Sequence, residues 1–211
     1  MRRLLCLLVA VSALAAPAPR AMAVDPLQGF LGRPLAAATE SGFFKWFSLA
    51  EVASAAGADG GRMLSYRPSG PRFHRLVLVE LTLSAGGDIR RMDLVLLRSF
   101  IASLADAPFA RDIAKSFLHA VPGAADEAAL LPIANEIEYR RAPAEGTVIV
   151  GPGYHPPPLP KTPSVAYETY IGRNQDFAAT LRRARLEMRN APATDGKVLR
   201  IAFVAAGPAR P

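Results

Sequence analysis

Histidines, carboxylates and arginines are the side chains of this sequence with which chemistry could be done. The three histidines, His74, His119 and His155, lie far apart. None belongs to an HExxH, HxH or comparable ligand spacing, so no metal site is expected. Glu136 and Glu138 come nearest to a catalytic pair. Read as part of a short strand over residues 136–140 they share one face, an arrangement suited to acid/base cleavage of a glycosidic bond. Ordinary alternation on a solvent-facing strand gives the same pattern. The sequence contains no GxSxG elbow, Walker loop, GxGxxG turn or EF-hand loop, so the enzyme classes those motifs mark lose their usual signal. No cofactor is called for.

Two further segments have the composition of binding surfaces. Arg182, Arg183, Arg185 and Arg189 cluster near the C-terminus, with Arg140 and Arg141 as a second basic pair. Converging on one face, the four would suit phospholipid headgroups, lipopolysaccharide or another anionic polymer. Balanced by Glu168, Asp176 and Glu187, they would be an ordinary charged face. Residues 151–163, GPGYHPPPLPKTP, hold six prolines. Such a segment is extended and stays out of a sheet interior, so it is either a strap over its own domain or a polyproline ligand presenting Tyr154, Pro157 and Pro160 to an aromatic groove.

The N-terminus sets the compartment in which these groups would act. A basic Met1-Arg2-Arg3, a run of thirteen apolar or small residues over 4–16, and Ala21-Met22-Ala23 have the form of a secretory signal peptide at 1–23. The apolar run is shorter than the roughly 20 residues that span a bilayer, so no transmembrane anchor is expected in the mature form, and Sec-type export to the periplasm or outside the cell is. Cleavage would leave 188 residues, lower the net charge from +7 to +4 and discard Cys6, the chain's one cysteine. That removes disulfides, thiolate metal sites and cysteine nucleophiles together. Nucleic acid is not an expected partner for an exported protein.

The elements that must position these groups are read from periodicity. The run over 76–83 alternates, with Val77, Val79, Leu81 and Leu83 on one face. Ala85-Gly86-Gly87-Asp88 follows as a hairpin turn, and an apolar run over 92–101 returns along the first strand. Phe109, Ile113, Phe117 and Val121 then recur every four residues as a helical stripe. Residues 24–40 read as a lead-in arm. The aromatic-dense 42–49 reads as a cap on the core or an exposed contact patch, 49–56 as a short helix and 63–66 as a strand. After the central helix, 124–131 reads as a second short helix that Pro132 ends or kinks. The runs 147–150 and 165–171 read as strands. Residues 176–183 fit a helix capped by Asp176, although 184–190 also alternates as a strand would. Residues 197–205 read as a strand.

Together these predict one α+β domain over 41–211: a largely antiparallel sheet of about five to seven strands with one or two helices packed on one face. The function expected is non-catalytic binding of an envelope protein or an anionic lipid or polysaccharide. The alternatives are a carboxylate-based hydrolase of an envelope polymer and a carrier of an apolar ligand.

Overall fold

A computed structural model describes residues 29–140 and 156–206. Seven strands form a single antiparallel sheet: β1 (Leu49–Ala56), β2 (Arg62–Pro68), β3 (Val77–Leu83), β4 (Ile89–Leu97), β5 (Asp176–Thr180), β6 (Ala184–Ala193) and β7 (Gly196–Ala205). Their order is β1-β2-β3-β4-β7-β6-β5. Two meanders therefore meet at the β4–β7 seam, where Leu94 opposes Ile201. The helical segments are α1 (Ala36–Thr39), α2 (Gly42–Trp46), α3 (Arg98–Ala102), α4 (Ala107–Ala120), α5 (Ala124–Tyr139) and α6 (Val165–Ile171). This is the expected α+β class, with more helices than the one or two expected.

Burial follows the predicted alternation. Val77, Val79, Leu81 and Leu83 on β3 face the helices, as do Met92, Leu94 and Leu96 on β4 and Leu199, Ile201 and Phe203 on β7. The other face of the sheet carries the intervening residues, most of them half-exposed or exposed. The stripe on α4 docks as expected: Ile113, Phe117 and Val121 are fully buried, and Phe117 sits 6.0 Å from Phe43 and 5.7 Å from Phe203, centroid to centroid. Phe109 is only partly buried, stacked on Phe73. The aromatic segment is a cap on the core: Phe43, Phe44 and Phe47 are buried, and Trp46 alone points out, 81% exposed. Residues 29–40 are tied to this core rather than lying loose beside it. Phe30 and Ala38 are buried in it, and the Phe30 amide donates to the Val121 carbonyl. Gly29 permits that approach, because at its φ of +65° a Cβ would lie 2.6 Å from backbone atoms of residues 121–123.

Five local expectations are corrected. Residues 49–56 form the edge strand β1, not a helix; pairing with β2 overrides the helical preference of their alanines. The strand expected to run to Ile101 ends at Leu97, and 98–102 is α3. The strand expected over 136–140 is the end of α5, which continues through Pro132 because Leu130, Ile133, Ala134 and Ile137 form a buried stripe of helical spacing. Residues 165–171 are α6. The Ser164 side chain caps it by accepting from the Tyr167 amide, and Gly172 ends it in the left-handed region, so two local caps outweigh β-branched composition. Residues 176–180 pair with β6 as a strand, so Asp176 caps no helix. The apolar run at 147–150 and the segments before Gly29 lie outside the described residues.

Candidate functional site

The register of β5, β6, β7, β4 and β3 arranges charge on the open face of the sheet in three rows. One row runs Thr180–Arg185–Val204–Arg91–Thr82, the next Ala178–Glu187–Ala202–Asp93–Glu80, and the third Asp176–Arg189–Arg200–Val95–Leu78. An acidic row therefore lies between two basic ones. In that row Ala178, on the edge strand β5, and Ala202, on β7, flank Glu187 and are too small to fill the space between the arginines. The result is a depression of about 250 Å³ rimmed by Arg91, Arg185, Arg189 and Arg200, with Asp176 and Glu187 the acidic lining residues among those described.

Asp93 organises the rim. The residue is 3% exposed, and its carboxylate accepts from Arg91 Nε at 2.7 Å, from Arg91 Nη2 at 2.8 Å and from Arg200 Nη1 at 2.9 Å. Arg200 Nη1 also donates to Glu80 Oε2 at 2.7 Å. Hydrogen bonding to Asp93 holds the Arg91 guanidinium above its ordinary pKa range. Burial draws Arg200 downward, but its bonds to Asp93 and Glu80 outweigh that and leave it raised as well. Both cations are thus fixed in place with donors to spare, since a guanidinium carries five N–H groups. On β6, Arg185 Nε lies 3.2 Å from Glu187 Oε1 and the Arg185 side chain is 61% exposed. Among the described residues Arg189 forms no ion pair, and its in-register neighbour on β7 is Arg200.

The four arginines singled out in the sequence do not converge. Arg185 and Arg189 share the open face about 13 Å apart along the strand, whereas Arg182 and Arg183 sit in the turn between β5 and β6. The turn's amides donate to the buried Asp126 carboxylate of α5, at 2.7 Å from Arg182 and 3.4 Å from Arg183, and the two side chains are exposed. The other half of the site, Arg91 and Arg200, was missed. Nothing local marks those two residues, because pairing across β4, β7 and β6 is what makes them neighbours of Arg185 and Arg189.

The remaining candidates have structural partners. Glu136 and Glu138 lie on a helix, two residues and so about 200° apart, which ends the shared-face reading. Glu136 is 2% exposed and accepts from Arg140 and from the Ser164 amide, while Glu138 pairs with Lys115. His74 Nδ1 lies 3.0 Å from the Pro68 carbonyl, and His119 Nδ1 lies 4.0 Å from Glu127. His155 and Tyr154 fall outside the described residues. Pro157 is half-buried, and the exposed Pro160 has its carbonyl held by Arg140, so this end of the strap is fastened to its own domain. Among the described residues no group of three or more His, Cys, Asp or Glu side chains is placed to hold a metal, and no helix is long and apolar enough to cross a membrane.

Comparison with protein-family models, curated proteins and solved structures finds no match to this chain.

Proposed function

We propose that this is an exported, non-catalytic binding domain that holds an anionic group of an envelope lipid or polysaccharide in the arginine-rimmed depression on its open sheet face. The observation that carries the reading is the in-register opposition of Arg189 and Arg200. Like charges directly across two strands weaken a sheet; Asp93 and Glu80 already offset Arg200, so an anion here would pair chiefly with Arg189 and with the N–H donors that Arg200 has left. Asp93 contributes by fixing Arg91 and Arg200 before any ligand arrives, so less side-chain freedom is lost on binding. The hydrolase alternative loses its basis in Glu136 and Glu138, both occupied in helix-to-helix and helix-to-strap contacts.

Vesicles containing an anionic phospholipid test the proposal. The protein should sediment with them at low salt and be released as ionic strength rises, because exposed charges are screened within about 10 Å at 0.1 M. Replacing Arg185 and Arg189 by serine should abolish most of that binding; replacing Arg182 and Arg183 should leave most of it. Equal losses from the two double variants would mean diffuse attraction, and the depression would have no special role. The export part is tested separately by N-terminal sequencing, which should find the mature chain beginning at Val24. An intact Met1 form in the membrane fraction would overturn it.

A further inference from the structure

A second, unrelated surface lies on the helical side of the molecule. Between α2, α4 and the start of α5 runs an open groove of about 580 Å³, within the range of small-ligand sites. Phe43 and Phe47 line it from the core side, and Ala120 and Ala124 keep it open by their small size. Trp46 stands at its edge, 81% exposed, the chain's one tryptophan. A large ring left in water beside an apolar groove is the costly exception among surface residues, since tryptophan ordinarily buries most of its area.

Charge decides what the groove would accept. Two groups of opposite sign, Lys115 and Glu127, line it together with His119. Lys115 is committed to Glu138 on α5, so its charge is neutralised where it stands. The Glu127 side chain is 56% exposed, and among the described residues the one ion-pair partner within 4.0 Å is the His119 ring. Lys45, beside Trp46 on α2, is not part of the lining. The groove therefore presents an indole ring and, at the first turn of α5, the largely exposed Glu127 carboxylate. A tryptophan face is the best of the aromatic surfaces for a cation, and Glu127 supplies the counter-charge.

The geometry points to this groove as a binding site for an organic cation: an ammonium group bearing an aryl or alkyl substituent, with the apolar part against Phe43 and Phe47 and the charge between Trp46 and Glu127. The reading is independent of the arginine depression, which lies on the opposite face of the sheet and selects the opposite charge.

Because Trp46 is the sole tryptophan, its fluorescence reports on the groove directly. Titration of the purified protein with benzyltrimethylammonium should give a saturable change, with an affinity at least about tenfold higher than for benzyl alcohol, the difference expected from the cationic contribution. Benzoate should not compete. Glu127→Gln should weaken cation binding about fivefold, the scale of one partly exposed charge pair, and Trp46→Ala should remove it by calorimetry. Trp46 is exposed, so its truncation leaves the core intact, and circular dichroism verifies that. The Arg185→Ser/Arg189→Ser variant should bind the cation unchanged. Equal affinity for benzyl alcohol or benzoate, or no saturable response, would overturn the assignment.

Discussion

Arg189 on β6 and Arg200 on β7 face each other in register on the open side of the sheet. Arg200 is tethered to Asp93 and Glu80, whereas Arg189 has Asp176 as its in-register neighbour on β5. Like charges directly opposite across two strands weaken the pairing. Replacing Arg189 by threonine, a residue that suits strands, should therefore raise stability by up to about 0.5 kcal/mol while weakening anion binding. Denaturant unfolding and vesicle sedimentation on the same variant check the opposite signs.

Asp93 is the member of this face whose loss should cost most. Asp93→Asn removes the carboxylate that holds Arg91 and one of the two that hold Arg200, and stability should fall by about 2–4 kcal/mol, less than for a fully buried pair because solvent screens the partners. Their side chains are 36% and 39% exposed. Urea midpoints measure the effect. A shift no larger than that of an exposed surface change would show that the arginines are held by something other than Asp93.

In the core, Phe117→Ala should cost about 3–5 kcal/mol, through lost transfer energy and a cavity between Phe43 and Phe203. That is a large share of the roughly 5–15 kcal/mol by which a domain is stable. Lys115→Ala, on the same helix but half-exposed, gives up one ion pair with Glu138 and should cost less than about 1 kcal/mol. Unfolding the two variants side by side tests whether α4 docks as described.

Tyr66 offers a pH signature. Burial, and then the charge and hydrogen bond of Glu51, push its phenol up from 10.0 to about 12. A group whose pKa is higher in the folded chain stabilises fully below its unfolded value and loses that contribution as pH rises through the folded one. Stability should therefore decline between pH 10 and about 12, and Tyr66→Phe should flatten that part of the profile. Phenolate absorbance followed through the same range identifies the late-titrating tyrosine.

What the sequence determined by itself was what neighbours in the chain decide. The alternation over 77–83 and 197–205, the turn at Gly86-Gly87 and the Ile113–Phe117–Val121 stripe are each set by a local period and a local breaker, and they specify an antiparallel sheet with a helix across it. Tertiary pairing decided the rest. It drew the alanines of 49–56 into an edge strand. A buried stripe that extends past Pro132 kept 136–139 helical and took Glu136 and Glu138 out of contention as a pair. Above all, it chose which arginines meet. Asp93 and Arg200 are 107 residues apart, and only the β4–β7 register puts them side by side, because a strand shifted by one position would turn every one of these charges to the other face.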